Sequence, residues 1–168
     1  MGHEKAKCAE DEIQGINPNV EVEAISATIK KDNADELIGD CDMIVDAMDN
    51  FPTRYLLNEI ALAKSIPLFH GAVEGFYGQT TTIIPGKTAC LACVFPESPP
   101  QRIWPMVSVT CGIMGCIQST EVIKYILGMG SLLENKLLMV DGLNAKMEEI
   151  VLERNPDCKV CSKVRKIL

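Results

Sequence analysis

Two cysteine pairs have the spacing that holds a metal. Cys90 and Cys93 form one C-x2-C, and Cys158 and Cys161 form a second, with residues 94–157 between them. A tetrahedral zinc takes four thiolates, and each C-x2-C supplies two from one tight loop. A zinc held this way pins the C-terminal segment to the central loop. Four thiolates leave no open position for water, so the site is structural and not catalytic. A redox dithiol is the competing reading of either pair. A second candidate is the run Asp46-Ala47-Met48-Asp49-Asn50, which follows the apolar stretch Met43-Ile44-Val45. A carboxylate at the carboxyl end of a buried parallel strand lies where open α/β sheets bind ligands. There it could hold the Mg²⁺ of a nucleotide. The plainer alternative is a helix cap beside a solvated acid.

Other residues carry weaker signals. Lys5, near a helix start, could reach a phosphate, although most lysines are simply surface residues. His70 follows a strand pattern and by itself is read as structural. Cys8, Cys41, Cys111 and Cys116 have no histidine nearby in sequence, and the two in the later apolar segment are expected to be small buried residues. Gly128-Met129-Gly130 ends a helical pattern and does not open one, so it is not a phosphate loop.

The elements that position these residues alternate between helix and strand. Residues 3–15 have helical spacing at Ala6, Ala9, Ile13 and Ile16, and Asn17-Pro18-Asn19 ends the pattern. Val20-Glu21-Val22-Glu23 alternates like a half-buried strand. A short helix is predicted over Asp32 to Leu37 and a buried strand over Met43 to Val45. Asn50 is a cap candidate with Pro52 in the first turn, and Leu56, Leu57, Ile60 and Ala61 give the following helix one apolar face. Strands are predicted over Pro67 to Val73 and Gln79 to Ile84. Pro85 to Pro105 is loop, Ser108 to Leu127 a long helix, and Leu137 to Val140 and Met147 to Leu152 are closing strands. Gly112, Gly115, Cys116 and Ser119 give the long helix a small-residue face. The alternation implies an α/β sheet with crossover connections.

Composition narrows the classes. The chain has 168 residues, 47% hydrophobic and 23% charged, the balance of a folded globular domain. The net charge of −7 argues against a nucleic-acid backbone as partner. The basic residues Lys159, Lys163, Arg165 and Lys166 read as a solvated tail. No apolar run reaches membrane-spanning length. The charged start has no signal-peptide pattern, which implies a cytoplasmic protein, and Ala6 stands where N-myristoylation wants Ser or Thr. Eight cysteines in a reducing compartment are not a disulfide framework.

Taken in order, several fragments resemble the ThiF/MoeB/HesA family, the prokaryotic relatives of ubiquitin-activating enzymes. They are Gly2 to Ala6, Ile16-Asn17-Pro18, Asp46 through Asn50 with Arg54, Gly71-Ala72-Val73 and Gly78-Gln79. Cys90 through Pro96, Gly115 with Gln118, Glu121 and Lys124, and Cys158 with Cys161 complete the set. The resemblance implies a Rossmann-like α/β adenylation domain, one partial domain over residues 1–168, with a zinc-stapled C-terminal part. It implies ATP-dependent adenylation of the C-terminal glycine of a ubiquitin-like sulfur-carrier protein ending in Gly-Gly, by a homodimer. Asp49 would hold Mg²⁺, Lys5 would contact the ATP phosphates, and Asn50 and Arg54 would shape the same loop. Cys90, Cys93, Cys158 and Cys161 match the family's structural zinc.

Two departures from the family pattern bear on this. The family's Gly-rich phosphate loop and acidic ribose-binding residue precede the point where this chain starts, so the chain is expected to be N-terminally incomplete. That leaves a non-catalytic, zinc-stapled module that docks a carrier or a complete paralogue as the alternative. The loop Glu97 to Val107 has no cysteine, which favours adenylation without covalent transfer, as in MoeB. A nicotinamide or flavin oxidoreductase is disfavoured because no G-x-G-x-x-G follows a strand.

Overall fold

The computed structural model describes residues 2–98 and 106–163 and divides the chain into two compact units, Met1–Gly39 and Asp40–Leu168. Arg165 and Lys166 of the basic tail, and most of the cysteine-free loop, lie outside the described residues.

The first unit holds helix α1 (Lys5–Ile16) and the short helix α2 (Ala34–Ile38). Asn17 ends α1 with extended backbone, as the Asn-Pro-Asn stop predicts. Asn33 ties the turn before α2, accepting from the Lys30 N–H at 2.7 Å and donating to the Thr28 carbonyl at 3.0 Å. The strand expected over Val20 to Glu23 does not form. Alternation makes a strand only where a neighbour completes the ladder, and this unit has no strand among its described residues.

The second unit is a five-stranded sheet in the order β1-β2-β3-β4-β5. The strands are β1 (Ile44–Val45), β2 (Leu68–Glu74), β3 (Tyr77–Ile83), β4 (Lys136–Asp141) and β5 (Lys146–Val151). Three helices accompany them: α3 (Phe51–Lys64), α4 (Leu91–Val94) and α5 (Ser108–Leu127). β1 and β2 are parallel and joined through α3, the one crossover of the parallel kind among the described strands. β2 to β5 run antiparallel: β2–β3 and β4–β5 are hairpins, while the chain passes from β3 to β4 through α4 and α5, so the expected run of parallel crossovers is confined to β1–α3–β2. Turns such as Gly75-Phe76 are too short to return a strand in parallel.

β2 is the centre of the core. Leu68, Phe69, His70 and Gly71 are all buried, because both faces of the strand are covered. Alternate residues face opposite ways. The Phe69 ring meets Tyr125 of α5 at 5.9 Å, whereas His70 on the other face meets Phe95 at 6.4 Å. α5 lays Thr110, Met114, Gln118 and Glu121 along its buried stripe, at helical spacing. Its small residues do not lie on that stripe. Cys111 and Cys116 are exposed, as are Cys8 and Cys41, so the expectation that the two helix cysteines are small buried residues fails. Cys111 is about 100° around the helix from Thr110, enough to turn it out of the sheet-facing side.

Glycines in β2 and β3 let α5 approach the sheet. A methyl at Gly71 would sit 2.4 Å from Gln118 Cδ, and one at Gly78 would sit 2.3 Å from Met114 Sδ. The Gln118 amide is tethered, donating to the Asp46 carbonyl at 2.9 Å and the Phe69 carbonyl at 3.0 Å. The Met114 thioether is flexible and can yield. Gly71→Ala is therefore expected to cost about 1–3 kcal/mol and more than Gly78→Ala, as overpacking against a fixed group does. Calorimetric melting of the two variants checks the order. Glu121 is a second tether, accepting from Thr82 Oγ1 at 2.6 Å and the Leu133 N–H at 2.7 Å.

Among the described residues, no helix is long and apolar enough to cross a membrane. Gly128 caps the end of α5 with φ of 61°, which places Gly128-Met129-Gly130 at a helix C-terminus and not at a phosphate loop.

Candidate adenylation loop and metal centre

Asp46 follows directly on β1, and its N–H extends the parallel ladder by donating to the Phe69 carbonyl at 2.9 Å. The chain then turns through Ala47, Met48 and Asp49 into α3. Asn50 caps α3, its side chain accepting from the Thr53 N–H at 2.9 Å, with Pro52 in the first turn as its fixed φ allows. The same side chain donates to Asp49 Oδ1 at 3.0 Å. Asp49 is exposed at the carboxyl end of β1, a hard oxygen donor of the kind Mg²⁺ takes.

Under this loop lies a buried polar cluster. Asp46, Arg54 and His70 are 1%, 7% and 0% exposed. Asp46 Oδ2 meets His70 Nδ1 at 2.7 Å and Arg54 Nε at 3.4 Å, while Oδ1 accepts the Met48 N–H at 2.9 Å. Arg54 Nη2 donates to the Met48 carbonyl and, at 3.4 Å, to the Gly71 carbonyl. The guanidinium also stands over the Phe51 ring, 5.3 Å from its centroid. Burial pushes Arg54 below its ordinary range, and the carboxylates of Asp46 and Asp49 pull it back. A buried charge without its partner is costly, so Asp46 and Arg54 depend on each other.

The four cysteines of the two pairs converge. Their sulfurs all lie within 4.8 Å of one another. Cys90 and Cys93 are 3.8 Å apart, Cys90 and Cys158 3.7 Å, and Cys93 and Cys161 3.4 Å. A tetrahedron of Zn–S bonds about 2.3 Å long separates its sulfurs by about 3.8 Å. All four thiols are free, and the spacing fits a closed four-thiolate zinc site better than a redox pair. Burial pushes the Cys90 and Cys93 thiols up. At Cys158 burial acts the same way but is outweighed by donors from the Cys161 and Val160 backbone and the Cys93 and Cys161 thiols, which bring it down to about 7. A bound zinc deprotonates its thiols and removes the burial penalty.

The metal knuckle and the loop share α3. Asn58 Oδ1 accepts the Leu91 N–H at 2.9 Å, which orients α4 beside Cys90. Tyr55 donates to the Phe95 carbonyl at 2.7 Å, and the Phe51 and Phe95 rings meet edge-on at 5.4 Å. On the C-terminal side, Arg154 donates to the carbonyls of Cys161 at 2.6 Å and Gly86 at 3.0 Å. Lys5 is exposed as the first residue of α1, in the other unit. Thus Asp49, Asn50 and, in the first turn of α3, Arg54 come together at the β1–α3 junction, and the four cysteines in one knuckle. Sequence reasoning missed that Asp46, His70 and Gln118 are the supports of the loop. The available signal was two titratable residues, Asp46 and His70, each adjoining an apolar strand segment; their pairing becomes visible only with the β1–β2 register.

Comparisons with known proteins give the family and the fold. The model of the ThiF family matches residues 1–160. The chain is 41% identical over 167 residues to the SAMP-activating enzyme E1 of Haloferax volcanii, covering 96% of this chain and 62% of that protein. It is 36% identical to the sulfur carrier protein adenylyltransferase of Thermus thermophilus, covering 96% and 64%. Protein HesA of Leptolyngbya boryana is 35% identical, with 96% and 59% covered. The chain therefore spans about three-fifths of the length of these curated relatives. Among solved structures, E. coli MccB with AMPCPP and MccA superposes with a TM-score of 0.84 over 96% of this chain and 52% of that one, at 18% identity, a likeness of fold. With its α/β sheet, its four-cysteine knuckle and a family match across residues 1–160, the chain belongs to the ThiF family.

Proposed function

We propose that this chain serves ATP-dependent adenylation of the C-terminal glycine carboxylate of a small ubiquitin-like sulfur carrier. The carrying observation is the Asp49-Asn50-Arg54 loop at the carboxyl end of β1, in a chain matched by the ThiF family model. A carboxylate is a poor electrophile. In the reaction its oxygen bonds to the α-phosphorus of ATP, the bond to the bridging oxygen breaks, and pyrophosphate leaves with that oxygen. AMP is then the leaving group for sulfur transfer. Such catalysis rests on positioning and charge neutralisation.

In this reading Asp49 is a ligand to Mg²⁺, which neutralises phosphate charge. Arg54 and the Asn50 cap hold the loop, and Lys5 contacts the phosphates. Zinc at the four-cysteine knuckle is structural. The partner is a carrier ending in Gly-Gly, the active form a homodimer, and the compartment the cytoplasm, where free thiols persist. Intact-mass analysis of such a carrier, incubated with Mg·ATP and the chain, is expected to show the added mass of AMP. Deleting the carrier's last glycine should abolish it. The chain is tested alone and with the Gly-rich nucleotide-binding half of a relative supplied. A carrier unmodified in both arrangements contradicts the proposal.

Exposed Cys111 gives the proposal a further test. Adenylation without covalent transfer predicts that Cys111→Ser leaves carrier adenylation unchanged. It also predicts that no persulfide or thioester maps to Cys111 by mass spectrometry.

A further inference from the structure

We propose that His70 is the positioning residue of the Met48-Asp49 turn, acting through Asp46. The proposal rests on the adenylation reading, since that turn carries Asp49.

Three observations combine. First, both polar groups of the Met48 peptide are used: its N–H by Asp46 Oδ1 at 2.9 Å and its carbonyl by Arg54 Nη2. Second, beside its ion pair with Arg54, Asp46 Oδ2 has one aligned hydrogen bond among the described residues. Arg54 Nε lies 3.4 Å from Oδ2 but is not aligned for a hydrogen bond, whereas His70 Nδ1 meets the same oxygen at 2.7 Å. The Asp46 carboxylate therefore takes its orientation from His70. Third, His70 is fully buried and, among the described residues, its Nε2 has no hydrogen-bond partner. A carboxylate oxygen only accepts, so the ring nitrogen that meets Asp46 Oδ2 is the donor. Among the described residues the ring's one polar contact is thus that to Asp46, while the Thr80 hydroxyl donates to the His70 carbonyl at 2.7 Å and fixes its backbone.

The chain of dependence runs from His70 to Asp46, from Asp46 to the Met48 peptide, and from that peptide to Asp49. It predicts a difference between two substitutions. Asn at position 70 can place an amide N–H where Nδ1–H stands, whereas Phe fills the space with no donor.

The test reads the turn directly, by hydrogen exchange of the Met48 amide in the zinc-loaded chain. His70→Phe is expected to speed that exchange by about tenfold, the scale of one hydrogen bond's contribution, while His70→Asn stays near wild type. Ring NMR of the wild type should find hydrogen on Nδ1 of His70. In pyrophosphate exchange, His70→Phe should raise the Mg²⁺ concentration for half-maximal rate, and His70→Asn should restore it. Unchanged Met48 exchange in His70→Phe overturns the proposal, as does a wild-type ring without hydrogen on Nδ1. A fall in maximal rate with an unchanged Mg²⁺ requirement also counts against it. Should His70→Phe not melt cooperatively, the wild-type tautomer and the His70→Asn amide decide. A wild type inert in pyrophosphate exchange speaks against adenylation, while Met48 exchange still decides the role of His70.

Discussion

Replacing Cys158 or Cys161 with serine is expected to release zinc and loosen the C-terminal segment from the sheet. The knuckle joins residues 68 apart in sequence, Cys93 and Cys161 among them. By the chain-entropy argument, a crosslink closing a loop of that size contributes about 4 kcal/mol. Each kilocalorie corresponds to roughly 2–4 °C of melting temperature at this chain length, so a fall of about 10 °C is expected. Zinc content, by metal analysis, should drop from one per chain toward none. The sulfurs are buried at Cys90, Cys158 and Cys161, and the segment after β5 is otherwise tied back by Arg154 and by the Leu152 N–H on the Asn135 carbonyl. A serine variant that keeps both its zinc and its melting temperature would show that the four thiols serve something else. Strong chelation of the wild type should reproduce the loss without a mutation.

The largest functional effect is expected at Asp49. Asp49→Asn preserves size and leaves the Asn50 cap of α3 in place, so the fold should be retained. Asn keeps an oxygen but loses the charge that a hard divalent cation seeks. Loss of one electrostatic element of a phosphoryl-type transition state costs about 10²–10³ in rate. Carrier adenylation is expected to fall by that factor, with zinc content and melting temperature unchanged. This outcome separates Asp49 from Asp46. Asp46→Asn would weaken a buried network of Arg54 and His70 and lower stability as well. Equal activity in Asp49→Asn and wild type would remove Asp49 from the metal site.

How much of this was legible in the sequence varies with the range of the forces involved. The α3 start was legible because Asn50 and Pro52 act locally, on the first turn of their own helix. The long helix was legible from Ser108 to Leu127, since its length and its Gly128 stop are also local. The four-cysteine cluster was legible because thiolate chemistry constrains spacing within each pair, although nothing local says the two pairs must meet. Strand partners are a different matter. Val20 to Glu23 alternates correctly and still forms no strand, because a ladder depends on a neighbour that periodicity does not report. Exposure of Cys111 and Cys116 depends on which stripe of α5 faces the sheet, and the apolar composition of that helix hides the stripe. The Asp46–His70 contact spans 24 residues and depends on parallel register between β1 and β2. His70 therefore looked like an ordinary strand histidine, although it supports the candidate site.

The central claim is that the β1–α3 loop serves carboxylate adenylation. ATP–pyrophosphate exchange tests it most directly, run on the zinc-loaded chain alone and with the nucleotide-binding half of a relative supplied. The expected result is exchange that requires Mg²⁺ and a carrier ending in Gly-Gly, and that Asp49→Asn reduces by about 10²–10³-fold. Absence of exchange in both arrangements, from a folded chain carrying its zinc, would contradict the claim.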